Sequence, residues 1–270
     1  MIIIGEKING FVPKTKVAID AKDHDYIREI AVGQTECGAD YLDICAGTDP
    51  DIELETMKWL IEDTQAVSDL PLTLDSPDPD ILLQCIPLCN KEGIINSVSM
   101  ESGKIEKIFP VIADTGWKVI CLTDNDEGIP DDPDKKFEIA KQIVAKADEY
   151  GISHDRLLFD PLVTTLATKP DSMANFAKGV RMIKEAFPDV HITSGLSNIS
   201  FGLPYRRGIN SAFAVLAIEA GMDSAIMDPL SEPLLGAVRS VNYLLGNDDW
   251  GMAFLTDFRK GLFPVKPKAN

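Results

Sequence analysis

Eight short apolar runs, each followed by a polar or Gly/Pro-containing turn, recur along the whole chain. They are Ile2–Ile4, Tyr41–Cys45, Leu70–Leu74, Ile94–Val98, Trp117–Leu122, Leu157–Phe159, Val190–Ile192 and Ser224–Met227. Runs this short and this uniformly apolar suit strands buried on both faces, the pattern of a parallel sheet covered by helices. Between them His24–Cys37, Glu53–Ser68 and Lys135–Tyr150 carry apolar residues at helical spacing, and Asn210–Ala220 is almost wholly apolar. Gly38, Gly116, Gly151 and Gly221 follow helical segments, where a left-handed cap is expected. Eight such units fit a chain of 270 residues, since a barrel of this kind needs about 250. The expectation is an α/β fold, a (β/α)8 TIM barrel forming a single domain over residues 1–270. A short C-terminal helix and a tail follow from about residue 247, with Pro264, Lys266, Pro267 and Lys268 loosely held. A doubly wound open sheet is the alternative.

Composition narrows the partners. A formal net charge of −17 repels phosphate backbones and acidic membrane surfaces, so neither nucleic acid nor a membrane is expected. No apolar run approaches the roughly 20 residues of a membrane span. The five cysteines, Cys37, Cys45, Cys85, Cys89 and Cys121, are odd in number. Cys85 and Cys89 fall in an apolar stretch, ILLQCIPLC, that reads as a buried helix. Reduced core thiols and a cytoplasmic location are expected, with no secretory segment before the first strand.

Function is written at the strand ends, which in such a barrel face the active site. Reading each run to its end yields Glu6 and Asn9, Asp43, Asp75, Asn96, Asp124 and Asn125, Asp160, Asn198, and Asp228. Asp, Asn or Glu ends every run, with no Lys, no His and no Gly-Gly phosphate turn. Asp49, Asp78 and Asp80 read instead as helix caps. So many hydrogen-bonding groups on one rim would be costly to desolvate without a polar ligand. Carboxylates accept and carboxamides do both, which suits a flat heterocycle with several N–H donors. A phosphorylated sugar would call for Arg, Lys or helix N-termini. A metal on Asp43, Asp75 and Asp160 would leave the asparagines unexplained, so no metal is expected.

Several motifs coincide. The chain opens IIIGEKING, continues through LTLDS at Asp75, IINSVS at Asn96 and LLFDPL at Asp160, and reads SGLSNISFGLPYRRGINSAF at the seventh strand. Together they resemble the pterin-binding methyltransferases, from Met1 to about Phe258. That family includes the folate-side transferases of acetogenic and O- or N-demethylase corrinoid systems and the folate domain of cobalamin-dependent methionine synthase. The resemblance implies a (β/α)8 barrel, often a homodimer, with tetrahydrofolate or 5-methyltetrahydrofolate held in the rim. Asp75, Asn96 and Asp160 match residues that hydrogen-bond the pterin. Asn198 matches the asparagine beside N5 and is the expected catalytic residue. Gly195 and Ser197 match neighbours of the ring, Asp43 the second-strand acid, and Arg206 or Arg207 a basic residue. Glu6, Asn9 and Asp228 complete the expected rim.

The implied reaction moves a methyl group between N5 of tetrahydrofolate and the cobalt of a separate corrinoid protein, as the tetrahydrofolate side of a corrinoid-dependent demethylase. The methyltetrahydrofolate:corrinoid/iron–sulfur protein methyltransferase of the acetyl-CoA pathway is an alternative assignment. A tertiary amine is a poor leaving group, so N5 needs a proton or a strong hydrogen bond, assigned to Asn198 and ordered water. His24, His154 and His191 read as structural. No His lies in the Asp-x-His-x-x-Gly surround of a cobalamin-binding module, so the corrinoid is expected on a partner. Dihydropteroate synthase shares this pocket, but it needs an Arg-x-His at the eighth strand, where this chain has AIMDP. A non-catalytic pterin-binding or corrinoid-docking subunit is the remaining alternative.

Overall fold

Strand alternation decides which side chains enter the barrel. Ile4, Ile94, Ile120 and Leu158 are buried together in a small cluster, with Ile2, Tyr41, Leu122 and Ile226 packed against it. Their neighbours Ile3, Leu42, Ile95, Val119, Leu157 and Ala225 belong instead to the large core beneath the helices. Both faces of each strand are therefore buried, which is why the runs are apolar throughout.

The computed structural model describes residues 1–101 and 103–263. The chain begins with β1 (Ile2–Asn9), α1 (Pro13–Ala21), α2 (His24–Glu36), β2 (Tyr41–Cys45), α3 (Pro50–Gln65) and β3 (Leu72–Asp75). It continues through α4 (Pro79–Cys85), β4 (Ile94–Met100), α5 (Lys104–Ile112), β5 (Lys118–Asn125), α6 (Pro133–Glu149) and β6 (Leu157–Asp160). Then come α7 (Ser172–Ala186), β7 (His191–Ile192), α8 (Arg206–Ala220), β8 (Ser224–Met227), α9 (Glu232–Leu244) and α10 (Met252–Arg259). The strands pair in parallel in the order β7-β6-β5-β4-β3-β2-β1-β8. Short links close the ring: Ile226 N–H donates to Ser194 O at 2.9 Å and Asp223 N–H to Ile192 O at 3.2 Å. This is the expected single-domain barrel, not an open sheet.

Several details differ from the sequence reading. β1 runs on past Ile4 to Asn9, so Glu6 and Asn9 are strand residues. Helices α1, α4, α5, α7 and α9 were not delimited by periodicity. Two are hard to see: α1 buries only Thr15, Ala18 and Ile19, and α4 is seven residues long. Gly38, Gly151 and Gly221 have the expected positive φ, but Gly116 does not. The Glu92 carboxylate lies over Gly116, 2.4 Å from where a Cβ would stand, and the glycine is not a left-handed cap. Cys85 is buried at the end of α4, whereas Cys89 lies beyond a short 3-10 turn and is half-buried. Asp78 does cap α4 through Asp80 N–H, Asp49 occupies the cap of α3 without a side-chain bond, and Asp80 pairs with Lys107 at 2.7 Å. The terminal helix is α10, and the tail residues Pro264, Lys266, Pro267 and Lys268 lie outside the described residues. Among the described residues no helix is long and apolar enough to cross a membrane.

Candidate active site

The mouth of the barrel holds a cavity of about 860 Å³. Two residues beyond an inward side chain, apolar on every strand named here but β3, six strands place a polar group. Ile4 gives way to Glu6, Tyr41 to Asp43, Thr73 to Asp75, Ile94 to Asn96, Leu158 to Asp160 and Ile226 to Asp228, and all six polar residues line the cavity. Asn9, Gly195, Ser197, Asn198, Arg206 and Arg207 line it as well. Of the strand-end and motif residues singled out in the sequence, all but Asp124 and Asn125 therefore face one space. Asp124 and Asn125 do not join that wall. Asp124 bonds Ser99 near Glu101 and Lys104, and Asn125 closes a turn with Gly128.

The cavity floor is rich in carboxyl groups whose burial disfavours charge. Asp43 is 1% exposed and its Oδ1 has no hydrogen-bond partner. Burial, with Asp75 beside it, pushes Asp43 well above the usual carboxylate range despite a bond from Asn96. Burial raises Asp75 to about 6 while the Cys45 thiol bonds it. Asp160 is also raised to about 6 by burial, opposed by the amides of Leu162 and Gly195 and the charge of Lys136. Those amides donate at 2.7 and 3.3 Å, one to each Asp160 oxygen. Glu6 is raised to about 7, chiefly by burial, against a hydrogen bond from Ser197. Such a floor offers acceptors and shared protons within one enclosure, the requirement for a ring bearing several N–H groups. Among the described residues no group of three or more His, Cys, Asp or Glu could hold a metal ion.

Asn198 sits on a 3-10 turn, Leu196–Ser200, between β7 and α8, and that turn is braced from several sides. Ser197 Oγ donates to Glu6 at 3.0 Å. Arg206 Nη2 donates to Ser197 O at 2.9 Å and its Nε to Ser200 Oγ at 3.0 Å. Leu166 N–H donates to Ile199 O at 3.0 Å. Gly195 leaves room at the start of the turn for the Asn198 carboxamide, since a Cβ there would lie 2.9 Å from Asn198 Nδ2 and displace it. Asn198 itself is exposed at the cavity wall.

A profile described as "Pterin binding enzyme" matches residues 14–228. The chain belongs to that family. It is 45% identical to the methylcorrinoid:tetrahydrofolate methyltransferase of Eubacterium limosum over 271 aligned positions, covering 99% of this chain and 100% of that protein. It is 33% identical to methionine synthase of Mycobacterium tuberculosis, across 84% of this chain but only 20% of that longer enzyme. Among solved structures it resembles dihydropteroate synthase from Xanthomonas albilineans in complex with 7,8-dihydropteroate, with a TM-score of 0.65, 21% identity and coverage of 90% and 92%. The dihydropteroate synthase of Coxiella burnetii is similar, with a TM-score of 0.66, 15% identity and the same coverage. These two likenesses concern the fold alone.

Sequence reasoning missed part of this pterin-binding enzyme's cavity. It expected no lysine there, yet Lys7 and Lys104 both line the wall. Lys7 Nζ pairs with Asp228 at 3.3 Å across the β1–β8 seam, and Lys104 pairs with Glu101. A register shift between Gly5 and Ile8 lets Glu6 and Lys7 both reach the cavity, which strict alternation forbids. Cys45, read as core, is buried but also borders the cavity, and burial pushes its thiol up. It therefore serves Asp75 as a donor rather than acting as a nucleophile. Ser76 also lines the cavity, and its hydroxyl donates to the buried Glu53 carboxylate behind it at 2.6 Å. Of the signals in the sequence, only the IIIGEKING motif contained a clue to Lys7.

Proposed function

We propose that this enzyme is a methyltransferase acting between N5 of tetrahydrofolate and the cobalt of a corrinoid carried by a separate protein. The observation that carries the reading is the convergence of Asp43, Asp75, Asn96 and Asp160 on one enclosed floor. The full-length likeness to a methylcorrinoid:tetrahydrofolate methyltransferase supports the direction, from corrinoid to tetrahydrofolate. Asp75 and Asp160 accept from the N–H groups of the pterin, and the Asn96 carboxamide donates to its carbonyl or a ring nitrogen. Gly195 and Ser197 border the ring, and Asn198, held by the braced turn, faces N5.

In the forward transfer the N5 lone pair forms the new N–CH3 bond. The cobalt–carbon bond breaks with its electron pair left on cobalt as Co(I), and the N5 proton leaves. Asn198 orients that lone pair and the departing proton, and the Glu6 carboxyl, raised to about 7 and bonded to Ser197 on the same turn, gives the proton a place to go. Arg206 is committed to the Asn198 turn, so Arg207 is the arginine left to meet the ligand. The enzyme is the tetrahydrofolate-side component of a corrinoid-dependent demethylase system, working in a reducing cytoplasm, consistent with free Cys37, Cys45, Cys85, Cys89 and Cys121. A homodimer is supported by exposed apolar residues such as Leu216, Leu244 and Trp250.

The test is spectroscopic. A methylated corrinoid protein and tetrahydrofolate are mixed with the enzyme and the cobalt absorption bands followed. Loss of the methyl-Co(III) band with formation of methyltetrahydrofolate is expected, and no change in either direction rejects the assignment. Sedimentation of the pure enzyme checks the dimer.

A further inference from the structure

Lys136 is the unexplained residue of the molecule. It lies in the first turn of α6, is 5% exposed, and is the one lysine among the described residues classed as buried. Burying an ammonium is costly unless its donors are matched. Lys136 Nζ donates to Pro161 O at 2.6 Å and to Leu162 O at 2.8 Å. Those two residues form the bend just past β6. The bend holds Leu162 at φ 54°, a left-handed conformation that a leucine rarely adopts. The same bend turns Leu162 N–H back onto Asp160 Oδ1 at 2.7 Å.

We infer that Lys136 is a positioning residue for pterin recognition: it pins the Pro161–Leu162 bend so that Asp160 presents its free lone pairs, ionised, to the ligand. The inference rests on the proposal that Asp160 contacts the pterin. Two effects run through one side chain. The first is geometric, since the carbonyls gripped by Lys136 fix the amide that orients the carboxylate. The second is electrostatic, since the ammonium is the cation that opposes the loss of charge on Asp160. The other charged groups around the pair are Asp131, Lys169 and Asp171 beside Lys136, and Asp124 on the neighbouring strand. Asp131 is paired with Lys169 at 2.5 Å. Asp124 disfavours charge on Asp160, and Lys136 is the cation that opposes it among the described residues.

The experiment measures tetrahydrofolate affinity of the purified, full-length protein from pH 5 to pH 8, for the unaltered chain and for Lys136→Met, Asp160→Asn and the double variant. Unaltered protein loses affinity as pH falls through about 6, when Asp160 takes up a proton. Lys136→Met is expected to weaken binding about tenfold at pH 7 and to move that midpoint upward. In the Asp160→Asn background it is expected to cost nothing more, because Lys136 acts through Asp160. A folded Lys136→Met protein with unchanged affinity and midpoint overturns the inference. So does an equal loss with and without Asp160, which marks a merely structural lysine. If Asp160→Asn alone leaves affinity unchanged, the reading of Asp160 as a pterin contact fails first. Should Lys136→Met not fold, Lys136→Gln keeps a donor for the bend and removes the charge. A raised midpoint in that variant supports the inference, and an unchanged one rejects it.

Discussion

The lower and upper halves of the barrel interior are made by the same strands and do opposite work. Below, Ile4, Ile94, Ile120 and Leu158 fill the tube with apolar side chains, and Thr73 beside Ile94 leaves one buried hydroxyl without a partner. Two residues later on three of those strands stand Glu6, Asn96 and Asp160, raised or buried polar groups around a cavity. β5 is the exception, placing Leu122 at the cavity wall. The contrast teaches that one strand can spend its closed end on stability and its open end on recognition, because alternation keeps both residues pointing inward. The lower layer contributes to stability through packing, whereas the upper layer is tolerated at some cost to the empty protein.

The sharpest way to break this comparison is to remove one residue from each layer. Asp160→Ala should weaken tetrahydrofolate binding about a thousandfold, the loss of two charge-assisted hydrogen bonds. Its melting temperature should change little, since relief of a buried charge offsets the Leu162 and Gly195 amides left without an acceptor. Calorimetry of binding and of unfolding checks both. Leu158→Ala should do the reverse, losing about 3 kcal/mol of stability as a cavity opens while the folded fraction binds nearly normally. Denaturant titration reads the first, and equilibrium binding under native conditions the second. If both variants lose affinity equally, the two layers are not separable.

Acidity offers a milder test. Asp160 is raised from 3.8 to about 6, so it holds its proton more tightly folded than unfolded. Its contribution is complete below about pH 4 and is lost as pH rises through about 6, a change of about 2–3 kcal/mol from this group alone. Asp75, raised to about 6, and Glu6, raised to about 7, act in the same direction. The ligand-free enzyme should therefore gain stability between pH 8 and pH 5. Asp160→Asn should flatten that profile, and an unchanged slope would count against burial as its cause. The smallest effect separates the two arginines. Arg207→Ala should weaken folate binding about threefold to tenfold with no change in melting, the scale of an exposed charged contact. Arg206→Ala should instead lower kcat as the Asn198 turn loosens, which steady-state kinetics distinguishes.

Much of the site was legible because strand ends in a barrel have a known address. Asp75 and Asp160 each close an apolar run, Asp43 and Asn96 interrupt one near its end, and all four reach the floor. Asp124 closes one too and does not. Register shifts between Asn96 and Val98 and between Val98 and Met100 disturb the β4–β5 pairing beside it. Lys7 escaped for a related reason, since the irregularity in β1 turns two consecutive residues toward the cavity. Lys136 carries no mark in a helix where lysines are common, and only its burial against two carbonyls sets it apart.

By itself the sequence determined the eight-fold alternation, the burial of both strand faces and the acid or amide at the mouth of most strands. These are properties of period and composition, which neighbouring residues settle locally. Tertiary structure alone decided that β8 closes against β1 and β7, that Lys7 meets Asp228 across that seam, and that Arg206 braces the Asn198 turn while Arg207 does not. Those outcomes depend on closure and register between strands far apart in the chain, which no local pattern encodes.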